Sequence, residues 1–153
     1  PITISAAAGD AVIEVAPPTT TGLRVHYSVE YPGSPIPPQQ YGVAVTPQRY
    51  REEVAAARTF LLEEEARKLQ QDGVGLTVTT QDLIVFGENG PIENELRWPN
   101  ECARHKILDI IGDLSLSGRP FHGDIVAHRS GHGLNAEVLT AVLEAETRMP
   151  GVH

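Results

Sequence analysis

Apolar and polar residues along this chain alternate first with a period of two and later with a period near 3.6, and the change falls at Pro47. Ala11 to Val15, Leu23 to Val29 and Tyr41 to Val45 are short and rich in β-branched residues, with Val25, Tyr27 and Val29 on one side of the second run. Each reads as a strand. The breaks between them, Pro17-Pro18 and Pro32-Gly33-Ser34-Pro35-Ile36-Pro37-Pro38, read as connectors, the second stiff and long enough to arch over a sheet.

Beyond Pro47, Tyr50, Val54, Ala57 and Phe60 recur at helical spacing behind Thr46, an N-cap residue type. This predicts a first helix closed by Arg58-Thr59-Phe60. An acidic-then-basic helix is expected from Leu62 to Gln70, followed by two small strands, Leu76 to Val78 and Leu83 to Phe86, and a turn at Glu88-Asn89-Gly90-Pro91. A longer helix runs from Pro99-Asn100 to Ser117-Gly118 with Ile107, Leu108, Ile110, Ile111 and Leu114 on its apolar side. A strand from Asp124 to His128 and a helix from about Leu134 to Glu146 complete the pattern. Sheet first and helices afterwards, with a small strand excursion between, predicts an α+β fold: a mainly antiparallel sheet with helices packed on one face and a small inserted β-α-β-like unit at about residues 62–86.

Length and composition narrow the reading. The 153 residues suit a single domain spanning 1–153. Twenty acidic against twelve basic residues give a formal charge of -8, which disfavours nucleic acid as a partner. The single cysteine, Cys102, cannot close an internal disulfide, which suits a cytoplasmic setting. No apolar run is long enough for a membrane span, and no signal peptide is evident, so neither insertion nor export is expected. The first residue is Pro1 rather than methionine, which suits a processed product or a piece of something longer.

Chemistry concentrates in two stretches, Arg104-His105-Lys106-Ile107-Leu108-Asp109-Ile110-Ile111-Gly112-Asp113 and Ser130-Gly131-His132-Gly133-Leu134-Asn135. On a helix His105 and Asp109 share a face, and with Gly112-Asp113 they form a polar strip roughly 12 Å long at 1.5 Å rise per residue. Asp109 interrupts an aliphatic run, where an unpaired carboxylate is costly, so it needs a partner. By spacing alone the pair is either a hydrogen-bonded couple on a half-exposed helix or half of a metal site. His132 stands between a strand and a helix start, where Asp113 could orient its ring and fit it to act as a general acid. Lys106 and Arg129 are candidates for an anionic group of a substrate. Thr59 could donate to a developing oxyanion and Phe60 could pack on a substrate; a helix end and a core aromatic are the plainer readings. His26, His122, His128 and His153 show no ligand spacing, and Cys102 reads as structural.

Taken together, Ala57-Arg58-Thr59-Phe60, Asn94-Glu95-Leu96-Arg97-Trp98, the block from Arg104 to Leu114 and Ser130 to Asn135 resemble the C-terminal domain of the UDP-3-O-acyl-N-acetylglucosamine deacetylases. These are zinc enzymes of lipid A biosynthesis. The likeness runs from a strand at Pro1 to the last helix and implies an α+β layer whose inserted unit helps form an apolar acyl passage. It implies that His105 and Asp109 are two of three zinc ligands, that His132 is the acid or electrostatic stabiliser, and that Asp113 orients it. It further assigns oxyanion stabilisation to Thr59, substrate contact to Phe60 and the nucleotide phosphates to Lys106, with Arg129 standing where the family often has lysine.

Two departures qualify this. The family draws its third ligand and general base from a Glu-His pair in an N-terminal domain, and no Glu-His dipeptide occurs here. Leu61-Leu62 also replaces a glycine and an aromatic residue expected after Phe60. The expected function is therefore the C-terminal half of a zinc-dependent deacetylase acting on the 2-acetamido group of an acylated UDP-sugar. It would be nearly inactive alone, with an N-terminal catalytic half on the same or a separate chain as its partner. Peripheral membrane contact is compatible with the acylated substrate. The alternative is a non-catalytic domain that binds a sugar nucleotide or a protein.

Overall fold

The computed structural model describes residues 2–75 and 77–148. It is α+β, and its main sheet has five strands: β1 (Ile4–Ala8), β2 (Ala11–Ala16), β3 (Leu23–Val29), β4 (Gln39–Val45) and, last in the chain, β8 (Gly123–His128). Their order is β1-β2-β8-β3-β4, antiparallel throughout except where β8 runs parallel to β3. The mainly antiparallel sheet expected from the sequence is thus present.

Alternation explains why one face of this sheet is dry. Val25, Tyr27 and Val29 of β3, Ile125 and Ala127 of β8 and Ile13 and Val15 of β2 are buried, whereas Arg24, His26 and Val126 on the reverse face are exposed. Two helices cover the dry face. Helix α3 (Glu101–Ser115) lies over β3 and β4 with Cys102, Ala103, Ile107, Ile110 and Leu114 buried, and α4 (His132–Thr147) lies over β1 and β2 with Val138 and Leu139 buried.

Beside α3 sits a second, three-stranded sheet. Strand β5 (Thr59–Leu62) runs parallel to β6 (Leu83–Gly87) through helix α2 (Glu63–Gln71), and β6 turns back into the short β7 (Gly90–Pro91). Parallel strands need such a crossover. Ile84 and Phe86 of β6 anchor the unit in the core.

Local structure differs from expectation at three places. The helix behind Thr46 does form, with the Thr46 hydroxyl accepting from Arg49 N–H at 3.1 Å, but α1 is only Pro47–Arg49 and passes into a π-helical turn, Tyr50–Val54. It ends before Arg58, so Thr59 and Phe60 open strand β5 instead of closing a helix. Of the expected strand Leu76 to Val78, Leu76 lies outside the described residues, and Thr77 and Val78 are in no strand. β6 takes β5 as its partner instead. Ile4–Ala8, which carries little β-branched character, is held as a strand by its hairpin to β2 across Gly9-Asp10, with Gly9 at φ +58°.

Candidate active site

The two chemical stretches meet at the end of the sheet where β8 delivers the chain into α4. Helix α3 presents Glu101, His105, Asp109 and Asp113 at successive four-residue steps, and β5 runs alongside it. A cleft of about 480 Å³ opens here, lined by Thr59, Phe60, His105, Lys106, Asp109 and His132 together with residues of the Pro-rich connector and of β5.

Both nitrogens of the His105 ring are engaged. Nδ1 lies 3.1 Å from the carbonyl oxygen of Ala57, and because a carbonyl only accepts, Nδ1 carries the proton. In the neutral ring Nε2 then holds the lone pair. It accepts from the Thr59 hydroxyl at 2.7 Å and lies 3.4 Å from Asp109 Oδ1. The Phe60 ring meets His105 edge to face, with centroids 6.3 Å apart. Asp109 finds the partner its buried position demands in Lys106, whose ammonium donates to Oδ2 at 2.7 Å. Lys106 is thus committed within the site, and Oδ1 is the carboxylate oxygen left facing His105.

His132 is the first residue of α4 and its side chain is 71% exposed, so its far nitrogen is open to the cleft. Its Nδ1 donates to the Asp113 carboxylate at 2.9 Å, which supplies negative charge beside the ring at the positive end of α4. Asn135, fully buried one turn further along α4, donates through Nδ2 to Asp113 Oδ2 at 2.8 Å and fixes that carboxylate.

The turn that places His132 is itself pinned. The Tyr27 hydroxyl donates to the Ser130 carbonyl at 2.7 Å, Arg129 N–H continues the ladder onto Ser28, and Arg129 takes a left-handed φ of +53°. Burial pushes the Tyr27 phenol above its ordinary range, so it stays a neutral donor. Arg129 is not part of the cleft lining: it pairs with Asp10 at 3.5 Å, and its guanidinium lies over the Tyr31 ring, 5.3 Å from the centroid. The structure thus gathers seven of the eight expected site residues, Asp113 from behind His132, and leaves Arg129 behind Tyr31.

Other residues of the site carry no obvious sequence signal. Tyr31, Ser34 and Ile36 reach the cleft from the link between β3 and β4, whose proline-rich part reads in the sequence only as an arch. Arg58 and Glu101 form a buried ion pair beneath it, with side chains 6% and 0% exposed and Nε to Oε1 at 2.8 Å.

This is a layered α+β domain whose cleft joins a His-x-x-x-Asp helix face to a histidine backed by a carboxylate, and its relatives agree on one family. The chain belongs to the UDP-3-O-acyl N-acetylglycosamine deacetylase family, whose profile matches residues 1–144. It is 42% identical over 124 residues to a UDP-3-O-acyl-N-acetylglucosamine deacetylase of Chlamydia abortus, covering 80% of this chain and 44% of the relative. It is 33% identical over 144 residues to one of Syntrophus aciditrophicus, covering 94% and 45%, and 36% identical over 122 residues to one of Solibacter usitatus, covering 79% and 41%. The chain spans less than half the length of these relatives. Among the described residues no helix is long and apolar enough to cross a membrane.

Proposed function

We propose that these residues are one half of a zinc-dependent deacetylase that hydrolyses the 2-acetamido group of UDP-3-O-acyl-N-acetylglucosamine in lipid A biosynthesis, in the cytoplasm. The observation that carries this reading is the His105–Asp109 pair. An imidazole Nε2 lone pair and a carboxylate oxygen stand 3.4 Å apart, and the other ring nitrogen is tied to a backbone carbonyl. That is the donor set and outer support characteristic of a zinc histidine, so the residues present fit the metal.

Zinc bound there would polarise the amide carbonyl and lower the pKa of the attacking water. His105 and Asp109 would hold it as two ligands. In this reading the third ligand and the base are drawn from outside these residues; among the described residues no group of three or more His, Cys, Asp or Glu is placed to hold a metal ion. Two ligands bind weakly, and the residues alone are accordingly nearly inactive.

The remaining roles follow from geometry. His132, oriented through Nδ1 by Asp113, keeps Nε2 toward the cleft, where as imidazolium it stabilises the tetrahedral oxyanion and passes a proton to the leaving amine. Thr59 has one hydroxyl proton, and once Nε2 is taken as a ligand that proton is available to the same oxyanion. Phe60 offers an apolar wall to the substrate. Lys106 neutralises Asp109 at the cleft mouth and bears on an anionic group of the substrate from there.

Complementation tests the proposal. The chain, combined with the non-overlapping half of the Chlamydia abortus relative, is expected to bind zinc tightly and to deacetylate the acylated UDP-sugar. Asp109→Ala is expected to lose the zinc, read by metal analysis, with only a modest loss of stability. Unchanged zinc content in D109A refutes the ligand assignment. Substrate binding without turnover at any zinc concentration favours the non-catalytic binding domain.

A further inference from the structure

The ion pair beneath the cleft does more than fill the core. The peptide unit joining Ala57 to Arg58 is gripped at both ends by the same face of α3. Its N–H donates to Glu101 Oε1 at 3.1 Å, and its carbonyl accepts from His105 Nδ1 at 3.1 Å. Glu101 and His105 are four residues apart, one helical turn, and a trans peptide points its N–H and C=O in opposite directions. The plane of this peptide is therefore set by a carboxylate one turn before the ring that it orients.

Glu101 is held in turn. Arg58 donates to its two oxygens through Nε at 2.8 Å and Nη2 at 3.0 Å, Arg97 N–H donates to Oε2 at 2.6 Å, and the guanidinium continues to Asn94 Oδ1 and the Glu95 carbonyl, both at 2.8 Å. We infer that Glu101 is a positioning residue: through the Ala57–Arg58 peptide it fixes His105 as the Nδ1–H tautomer and leaves Nε2 unprotonated as the ligand nitrogen. Arg58 keeps that carboxylate charged and in place. The inference rests on the proposed role of His105 only for its functional meaning; the tautomer itself is a property of the metal-free chain.

The test reads the tautomer directly. Long-range proton–nitrogen correlation spectra of the metal-free 153-residue chain, near pH 8 where imidazoles are neutral, distinguish protonated from bare ring nitrogens, with His105 assigned from the spectrum of His105→Gln. Two double variants remove the buried charges together. R58M/E101Q keeps a side-chain oxygen able to accept the peptide N–H, and R58M/E101L does not.

The ratio of Nδ1–H to Nε2–H forms in R58M/E101Q is expected to match the parent. In R58M/E101L it falls about five- to tenfold, the equilibrium equivalent of one net hydrogen bond. Should R58M/E101L fail to give a native circular dichroism spectrum, Glu101→Asp, which keeps the charge but withdraws the oxygens by one methylene, is expected to lower the same ratio. A parental ratio in R58M/E101L, or in E101D where that serves, overturns the inference. An unchanged ratio accompanied by normal zinc binding does the same. Failure of the parent to bind zinc in the complemented enzyme, with the ratio shifting as described, sinks the metal reading and leaves the positioning role standing.

Discussion

Arg58→Met removes one partner of a buried pair and leaves the other in place, and the structure sets the size of the effect. The guanidinium makes four side-chain hydrogen bonds, to Glu101 Oε1 and Oε2, Asn94 Oδ1 and the Glu95 carbonyl, while Glu101 is completely buried. In the variant Glu101 keeps only the N–H groups of Arg58's position and Arg97, so a buried carboxylate loses its counter-charge. Breaking such a pair costs about 3–5 kcal/mol. For a domain of this size that is roughly 6 to 20 °C in melting temperature.

The pH dependence gives this a sharper signature. In the parent, burial would raise the Glu101 carboxyl, but the Arg58 hydrogen bonds and the two backbone N–H groups outweigh it and hold the group below its ordinary 4.5. Its folded value is depressed, so it contributes stability above the ordinary carboxyl range, and that contribution is lost as pH falls through the folded value. Without Arg58 burial dominates and the sign reverses. The charged form then opposes folding at neutral pH and ceases to do so once the carboxyl protonates. Urea unfolding near pH 7.5 and near pH 4 is expected to show a gap between parent and R58M that narrows on acidification. A gap under about 1 kcal/mol at neutral pH, or one equal at both, refutes the reasoning.

Three further outcomes are expected. Burial pushes the Cys102 thiol up to about 12, so an aromatic disulfide reagent at pH 8 should label it only after denaturation, and prompt labelling of the native chain would contradict its packing. At Gly123 an added Cβ would stand 3.1 Å from the Ala16 carbonyl oxygen, which the β2–β8 ladder holds in place, so Gly123→Ala should cost about 1–3 kcal/mol by denaturant titration. Tyr27→Phe strips the buried Ser130 carbonyl of its hydroxyl donor and should cost about 1–3 kcal/mol. An unchanged midpoint in either variant would mean that the neighbouring backbone shifts freely.

Much of this architecture is legible in the residues because burial imposes a period. β3 and β8 fall where alternation puts them, and α3 is visible from its aliphatic stripe; its polar strip holds Asp109 and Asp113 as read. Thr59 and Phe60 open a strand rather than close a helix because the helical spacing of Tyr50, Val54, Ala57 and Phe60 is cut short by the π-helical turn at Tyr50–Val54. What then fixes the 57–59 segment is Glu101, forty-three positions from Arg58, a contact no local pattern encodes. The connector residues Tyr31, Ser34 and Ile36 were equally silent, since prolines predict a stiff path but not where it lands. Of Leu76 to Val78, the described Thr77 and Val78 are in no strand, whereas Leu83 to Phe86 pairs with β5.

The placement of β8 between β2 and β3 bears on how this protein is made. Leu23 pairs with Gly123 and Val12 with His128, so the middle rung of the sheet leaves the ribosome only after both hairpins that flank it. Until it emerges, the β1–β2 and β3–β4 hairpins each present a bare backbone edge in the nascent polypeptide, the kind of surface that recruits other strands. Synthesis stalled before residue 123 should therefore yield a chaperone client, and the cleft can exist only after β8 has joined the two hairpins.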